Sequence, residues 1–190
     1  MRSFIALPLP PEITSLLANI ERDLQRFGAD VRWCGVGSIH LTLKFLGEID
    51  PAVLPGLARA LEERVAPRAP FPVDLGGLGG FPNLRSPKVL WCGLGETEPL
   101  ARLQAEVEEV CRRQGFEPDA RPFRPHLTLG RVQGRRNLQP LLDHIRIGAE
   151  PVEARFTARQ CNVYRSTLRP AGAVYDVLKE IRLAGEGDPR

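Results

Sequence analysis

One four-residue segment occurs twice in this chain: His40-Leu41-Thr42-Leu43 is repeated letter for letter as His126-Leu127-Thr128-Leu129. The chain has only three histidines, and the repeat contains two of them. Histidine is the side chain whose ordinary pKa lies nearest neutrality, so two histidines in the same setting predict a general acid and a general base. The two segments lie 86 residues apart, a little under half the chain, which predicts two related halves that each supply one catalytic arm.

Strand geometry predicts the direction in which the side chains of each segment point. Alternate side chains of a β-strand point to the same face, so each segment would direct His and Thr into a cleft and its two leucines into the core. One imidazole could take a proton from an attacking water or hydroxyl while the other protonates a departing oxygen, each accelerating the reaction by roughly 10²–10⁴. The hydroxyls of Thr42 and Thr128 could donate hydrogen bonds to phosphoryl oxygens, where negative charge accumulates. The pattern therefore predicts phosphodiester cleavage.

Two simpler interpretations compete with paired catalysis. A single segment of this kind is an ordinary amphipathic strand, and a lone histidine in it is usually structural. A metal site would need more ligands, because each segment supplies one good ligand and zinc usually takes three from the protein. His144 falls in a predicted helix and is interpreted as a surface or structural residue. We therefore expect neither a metal ion nor another cofactor.

An arginine-rich stretch around the second segment favours a phosphate substrate. Five arginines fall within sixteen residues that contain no acidic side chain, namely Arg121, Arg124, Arg131, Arg135 and Arg136. Such a stretch can bind a phosphate and guide an RNA strand toward it. The alternative is a pair of solvated loops, which fits Arg135 and Arg136 equally well.

Two residues beyond the repeats raise a geometric difficulty. Arg131 and Phe45 each lie five residues after their histidine, so strict alternation places both on the opposite face from it. A bend or bulge would be needed to return Arg131 to the cleft. Phe45 could stack on a base at the cleft mouth, but the pattern favours core packing. Tyr164 could line the cleft or anchor a strand.

Composition places the chain among ordinary globular proteins. Its 190 residues suit one compact domain or two small lobes that share a core, and a net charge of +3 is too small for a histone-like grip on nucleic acid. Four scattered cysteines without a CxxC pair predict reduced thiols in the cytoplasm. No segment resembles a signal peptide or reaches membrane-spanning length, and a self-contained cleft predicts a monomer with no membrane partner.

Hydrophobic periodicity predicts short strands and amphipathic helices in mixed order. The predicted strands are 4–7, 31–34, 39–46, 71–75, 88–94, 125–132, 152–164 and 173–181. The predicted helices are 12–27, 51–65, 97–114 and 138–145. Glycines at 76–80 predict a loop rather than a phosphate-binding motif, because no helix follows them. This order is typical of an α+β protein with antiparallel sheets backed by helices.

The flanks of both repeats resemble a known family. The chain is similar to the 2H phosphoesterases, and most closely to their RNA 2′,3′-cyclic phosphodiesterase branch, also described as 2′-5′ RNA ligase. The likeness covers nearly the whole chain. It rests on Arg2 to Ala6, Ile39 to Glu48, Gly80-Phe81-Pro82 with Val89-Leu90-Trp91, Phe123 to Arg131, Tyr164-Arg165-Ser166 and Gly172 to Tyr175.

This resemblance implies a bilobal, pseudo-twofold α+β fold, in which residues 1–190 form one domain and each lobe carries one HxTx motif at a cleft between two antiparallel sheets. It implies metal- and ATP-independent opening of a 2′,3′-cyclic phosphate to a 2′-phosphate. His40 would protonate O3′ and His126 would activate water, although the near-symmetry of the motifs leaves that order open. Thr42, Thr128 and Arg131 would hold the phosphate, and Phe45 would face the terminal base.

Two other functions stay open at this point. The reverse chemistry would join RNA ends through a 2′-5′ linkage, with a ribose hydroxyl in place of water. A non-catalytic protein could instead bind RNA ends that carry a cyclic phosphate, although two intact His and Thr pairs argue against this.

Overall fold

A computed structural model of the chain describes residues 1–95, 97–147, 152–169 and 172–185. Within these residues there are nine β-strands and four α-helices. The strands are β1 (Arg2–Leu7), β2 (Val31–Trp33), β3 (Leu41–Glu48), β4 (Phe71–Phe81), β5 (Val89–Leu94), β6 (His126–Val132), β7 (Arg155–Ala158), β8 (Gln160–Arg169) and β9 (Gly172–Arg182). The helices are α1 (Pro11–Gln25), α2 (Leu54–Val65), α3 (Glu98–Arg113) and α4 (Leu138–Ile147).

The strands form two antiparallel sheets. The first sheet has the order β3-β1-β8-β9, and the second has the order β2-β6-β5-β4-β7. Neighbouring strands in both sheets pair antiparallel, so the predicted α+β class is confirmed. The first sheet combines strands from both ends of the chain, while β2 joins the second sheet. The sheets are therefore interleaved in sequence, and each carries one of the two motifs.

The core is built on the inward faces of these strands. All four motif leucines are buried, with exposed fractions of 2% or less, as strand alternation predicts. Each helix adds an apolar stripe, for example Leu103, Val107 and Cys111 of α3. Buried residues from both sheets belong to one continuous cluster. In the described part of the chain, no helix combines the length and apolarity needed to cross a membrane.

Three differences from the predicted boundaries affect the sheets or the position of a motif residue. The strand that ends at residue 75 in the prediction continues to Phe81, so the glycines at 76–80 are strand residues rather than a loop. The predicted strand 152–164 is two strands, because the chain passes from the second sheet to the first at Arg159. β3 begins at Leu41, which leaves His40 immediately before the strand.

Candidate active site

The two motif histidines are held in the same way. Nδ1 of His40 lies 2.9 Å from the carbonyl oxygen of Ser38, and Nδ1 of His126 lies 2.7 Å from the carbonyl oxygen of Arg124. A carbonyl oxygen can only accept a hydrogen bond, so Nδ1 carries the proton in both rings. Nε2 is therefore the atom of each imidazole that can take up or release a proton.

The environment of His40 is aromatic and largely closed. The ring of Phe4 stacks on the imidazole with the centroids 4.5 Å apart, and the ring of Tyr175 meets it edge-on at 5.0 Å. Burial lowers the pKa of His40 to about 4, although the hydrogen bond to Ser38 acts in the opposite direction. His40 is therefore neutral at pH 7 in the free protein.

His126 has a more open environment. The ring of Phe81 meets its imidazole edge-on, with the centroids 4.9 Å apart. The side chain is half-buried at the start of β6 and forms part of the wall of a cavity.

The two motifs approach each other across the molecule. Cα atoms of β3 and β6 come within 8 Å of one another. Thr42 and Thr128 are half-buried, in contrast to the buried leucines on either side of them. Tyr175, which contacts His40, has its pKa raised by burial. The nearby charge of Arg131 acts to lower the same pKa. The arrangement thus brings residues of the second motif strand near the surroundings of His40.

A β-bulge in β3 decides the position of Phe45. Thr42 and Lys44 pair with consecutive residues of β1, so Leu43 is an extra residue in the strand. The bulge reverses the alternation that follows it. Phe45 is consequently 62% exposed, and its ring centroid lies 6.3 Å from that of Phe4. The prediction that Phe45 packs in the core was wrong for this reason.

β6 contains the equivalent bulge. Thr128 and Gly130 pair with consecutive residues of β5, so Leu129 is the extra residue. Gly130 is buried and Arg131 is exposed, the reverse of what strict alternation predicts. The bulge that Arg131 requires in order to share the face of His126 and Thr128 is therefore present.

A second arginine lies beside Arg131. Arg32 of β2 is directly opposite Arg131 in the sheet, so both side chains are on one face. A Cβ on Gly130 would lie 2.6 Å from Val31 and 3.1 Å from the ring of Trp33, which places those two side chains on the other face. Neither guanidinium has a carboxylate partner among the residues that the structure describes. An anion between the two arginines would offset their mutual repulsion.

Comparison with known proteins identifies the family. The sequence model of the 2′-5′ RNA ligase superfamily matches residues 35–168. The chain belongs to that superfamily.

Individual relatives agree with this assignment. The RNA 2′,3′-cyclic phosphodiesterase of Methanothermobacter thermautotrophicus is 30% identical, over 96% of this chain and 99% of its own. The protein of the same name from Thermus thermophilus is 37% identical, over 98% of this chain and 92% of its own. The crystal structure of TT0787, also from Thermus thermophilus, superposes with a TM-score of 0.82 at 28% identity, covering 98% of this chain and 100% of that one. The resemblance to 2H phosphoesterases is thus confirmed.

The remaining arginines and His144 have other surroundings. Arg121, Arg135 and Arg136 are exposed in loops on either side of β6. Arg124 contributes its carbonyl oxygen to His126. His144 is exposed on α4 and packs against Phe27, as expected for a surface histidine.

Several residues around the superfamily motifs were missed by the sequence analysis. Phe4 and Tyr175 enclose His40 from β1 and β9. Tyr164, which was predicted either to line the cleft or to anchor a strand, stacks on Phe4, and its hydroxyl lies 3.0 Å from Nδ2 of Asn162. The sequence offers no signal that pairs these aromatic residues with His40, because they become neighbours only when the first sheet forms.

Lys44 is the other residue that was missed. Its side chain is only 1% exposed, and Nζ lies 2.9 Å from Glu108, 3.3 Å from Asp119 and 2.7 Å from the carbonyl oxygen of Glu117. Burial acts to lower the pKa of Lys44, but the acidic partners outweigh it and raise that pKa. Lys44 therefore ties β3 to the loop that leads into His126. Lys44 lies four residues after His40, at a position where strand alternation alone predicts a side chain on the same face as the histidine. It is instead buried, with acceptors at hydrogen-bonding distance.

In the described ranges, no three residues among His, Cys, Asp and Glu come together as a group that could hold a metal ion.

Proposed function

We propose that the protein is an RNA 2′,3′-cyclic phosphodiesterase, which hydrolyses a terminal 2′,3′-cyclic phosphate to a 2′-phosphate by acid–base catalysis with His40 and His126. The observation that carries the proposal is the matched pair of imidazoles, each with Nδ1 bound to a backbone carbonyl and Nε2 available for proton transfer. Relatives that align over nearly the whole chain carry the same name.

The reaction follows from two proton transfers. Nε2 of His126 takes a proton from water, whose oxygen forms a bond to phosphorus. The bond between phosphorus and O3′ breaks on the opposite side, and His40 gives its Nε2 proton to O3′. Hydroxyl groups of Thr42 and Thr128 stabilise the charge that gathers on the phosphoryl oxygens. The products are a 2′-phosphate and a 3′-hydroxyl, and no metal ion or cofactor takes part.

Burial of His40 makes its role as the acid depend on the substrate. The imidazole is neutral in the free protein because its pKa is about 4. A cyclic phosphate carries a negative charge, and an opposite charge within a few ångströms favours the protonated imidazole. Binding of the substrate therefore charges the acid, so that Nε2 of His40 carries a proton only when O3′ is there to receive it.

The substrate is bound through charge and stacking. Arg131 binds the cyclic phosphate with its planar guanidinium, and Arg32 beside it adds positive charge along the path of the RNA strand. Phe45 stacks on the terminal base, since its exposed ring lies close to the aromatic group around His40.

We also propose that residues 1–190 form a single domain of two lobes, which acts as a monomer in the cytoplasm and needs no membrane. The continuous core shared by both sheets supports one domain. The four cysteines are free thiols, and burial raises the pKa of Cys92, Cys111 and Cys161 to about 12, which suits a reducing compartment.

The test is turnover of a chelator-treated sample with an oligonucleotide that ends in a 2′,3′-cyclic phosphate. We expect a product with a 2′-phosphate and a 3′-hydroxyl. Binding without turnover would indicate an RNA-end-binding protein rather than an enzyme. A 3′-phosphate product would contradict protonation of O3′. Activity that appears only after a metal ion is added would contradict the two-histidine mechanism.

A further inference from the structure

Three arginines near the two motifs lack the acidic partners that arginines on the helices have. On α2, for example, Arg59 forms an ion pair with Glu63. Arg2, Arg32 and Arg131 have no carboxylate within ion-pairing distance among the residues that the structure describes. Guanidinium groups without such partners repel one another if they lie close together, and a bound anion offsets that repulsion.

Arg2 lies on the face of the first sheet that carries the aromatic residues around His40. Alternate side chains of a strand share a face, so Arg2 of β1 is on the same side as Phe4. The ring of Phe4 stacks on the imidazole of His40. The exposed guanidinium of Arg2 is therefore on the side of the sheet that faces the motifs.

The strand register extends this face into a polar row. Ser3 pairs with Arg165 of β8. Continuing that register by one residue puts Arg2 opposite Ser166, which in turn pairs with Tyr175 of β9. Directly paired residues point to the same face, so Arg2, Ser166 and Tyr175 form one row across three strands.

Tyr175 connects this row to the arginines of the second sheet. Burial raises the pKa of Tyr175, and the charges of Arg131 and Arg2 both act to lower it. Because electrostatic influence falls with distance, both guanidinium groups lie near the phenol hydroxyl. Arg32 is directly opposite Arg131 on the same face of the second sheet. In the described part of the chain, the hydroxyl of Tyr175 has no hydrogen-bond partner.

The acidic residues beside this row have other partners. Glu48 pairs with Arg2 across β1 and β3, but its carboxylate lies 3.2 Å from the amino group of Met1. Asp176 follows Tyr175 on the opposite face of β9, where its carboxylate lies 2.9 Å from Arg165. The positive charge of the row is thus left for a ligand.

We propose that Arg2, Arg32 and the hydroxyl of Tyr175 bind a second phosphate, the one on the 5′ side of the nucleoside that carries the cyclic phosphate. The protein would then prefer RNA of two or more nucleotides over cyclic mononucleotides. The inference rests on the proposed function, because Arg131 must already hold the cyclic phosphate.

The spacing along β1 fits one nucleotide. Phe4 pairs with Phe45, on which the terminal base stacks, and Arg2 lies two residues, or about 7 Å, further along the strand. This separation is comparable to the span from a base to its own 5′-phosphate. The planar guanidinium groups and the phenol O–H are donors, which suit the oxygens of a phosphodiester.

Two ligands that differ only at O5′ provide the test. One is adenosine 2′,3′-cyclic phosphate, and the other is the same compound with a methyl phosphodiester at O5′, which stands for the next link of an RNA strand. We expect kcat/KM to be at least about tenfold higher for the second ligand, since a hydrogen bond between charged groups contributes about this factor. The quantity compared between variants is the ratio of the two kcat/KM values.

Glutamine variants locate the second phosphate. Arg2→Gln and Arg32→Gln should each lower the ratio at least about threefold, allowing for solvent screening of exposed guanidinium groups. Tyr175→Phe keeps the ring beside His40 and should lower the ratio about twofold, as for the loss of a neutral hydrogen bond. Arg131→Gln should instead lower kcat/KM for both ligands and keep the ratio. Arg59→Gln on α2 is the control for loss of one positive charge and should change neither value.

Two results would overturn the proposal and leave the proposed function intact. The first is a ratio near one in the unsubstituted protein while both ligands are hydrolysed. The second is a high ratio that Arg2→Gln and Arg32→Gln both retain, because the 5′-phosphate would then bind elsewhere. Hydrolysis of neither ligand would instead refute the proposed function.

Binding of the reaction products tests the site without turnover. Calorimetry compares adenosine 2′-phosphate with its derivative that carries the methyl phosphodiester at O5′. We expect the derivative to bind at least about tenfold more tightly, and Arg32→Gln to reduce this difference at least about threefold. Equal affinities in the unsubstituted protein would overturn the proposal whether or not the protein hydrolyses the cyclic phosphate.

Discussion

The two motif strands share a backbone design and differ in what surrounds it. In each, the Nδ1 atom of a histidine bonds to the carbonyl two residues earlier, and an extra leucine three residues later bulges the strand. His40 is enclosed by aromatic rings, whereas His126 borders a cavity. A common backbone thus leaves Nε2 of both imidazoles available for proton transfer, while burial among the aromatic rings lowers the pKa of His40.

The positions after each bulge show the same division. Four residues beyond the histidine, the first strand has the buried cation Lys44 and the second has Gly130, where a Cβ would lie 2.6 Å from Val31. Five residues beyond, the exposed side chains are Phe45 and Arg131. One motif strand therefore exposes an aromatic ring and the other a guanidinium, and the same irregularity turns both side chains outward.

The largest expected effect comes from removing the imidazole that each motif strand carries. His40→Ala and His126→Ala should each lower kcat by roughly 10²–10⁴, the usual contribution of a general acid or base. The third histidine provides the control, and His144→Ala should keep the full rate because it lies on the surface of α4. Steady-state hydrolysis and circular dichroism check activity and folding together. Full activity of His40→Ala or of His126→Ala would show that the two histidines do not both take part in catalysis.

The difference four residues beyond the histidines concerns stability. Lys44→Met should lower the free energy of unfolding by about 3 kcal/mol, because it leaves the charge of Glu108 uncompensated in a partly buried site. The exposed Lys88 is the matched control, and Lys88→Met should change stability by less than about 0.5 kcal/mol. Urea unfolding measures both. Equal stability of the two variants would show that Lys44 is not a structural tie.

The difference five residues beyond the histidines concerns substrate affinity. Arg131→Ala should raise KM roughly 10- to 100-fold, because a charged hydrogen bond to phosphate is lost, and it should do so for cyclic mononucleotides and RNA alike. Phe45→Ala should raise KM by less, roughly 5-fold, since an exposed ring contributes only stacking. Arg131→Ala should also flatten the salt dependence of KM, and Phe45→Ala should not. The reverse pattern of salt dependence would exchange these roles.

The smallest expected effect is the uptake of a proton by His40 when an anion binds. His40 is neutral above a pKa of about 4 in the free protein, and a bound anion favours its charged form. Binding of inorganic sulfate at pH 5 should therefore take up as much as one proton, and sulfate affinity should fall as pH rises from about 4. Calorimetry in buffers of different ionisation enthalpy measures this uptake. His40→Gln should abolish it, and undiminished uptake in that variant would assign the proton to another group.

The local sequence pattern was sufficient to predict which side chains of each motif face the core. It did not predict how far along each strand the alternation continues. Alternation placed Leu41, Leu43, Leu127 and Leu129 in the core because strand periodicity is a property of neighbouring residues. It failed beyond Leu43 and Leu129, since a bulge depends on the register with a partner strand. The interpretation of Phe45 failed with it.

Long-range contacts account for the other differences. The glycines of β4 were interpreted as a loop because glycine weakens a strand unless another group fills the space, and here the ring of Trp91 does so from β5. Phe4 and Tyr175 reach His40 from opposite ends of the chain. Their effect on the pKa of His40 arises only when β1 and β9 assemble in one sheet.

The bulge at Leu43 has a consequence for encounters between copies of the protein. β3 is an edge strand of the first sheet, and an edge strand presents unpaired backbone groups to which another chain could add. An extra residue interrupts this row and increases the local twist, so the exposed edge becomes a poor template for a foreign strand. The irregularity that turns Phe45 outward thus also protects the edge from unwanted strand addition, at the place where an exposed phenylalanine would otherwise encourage it.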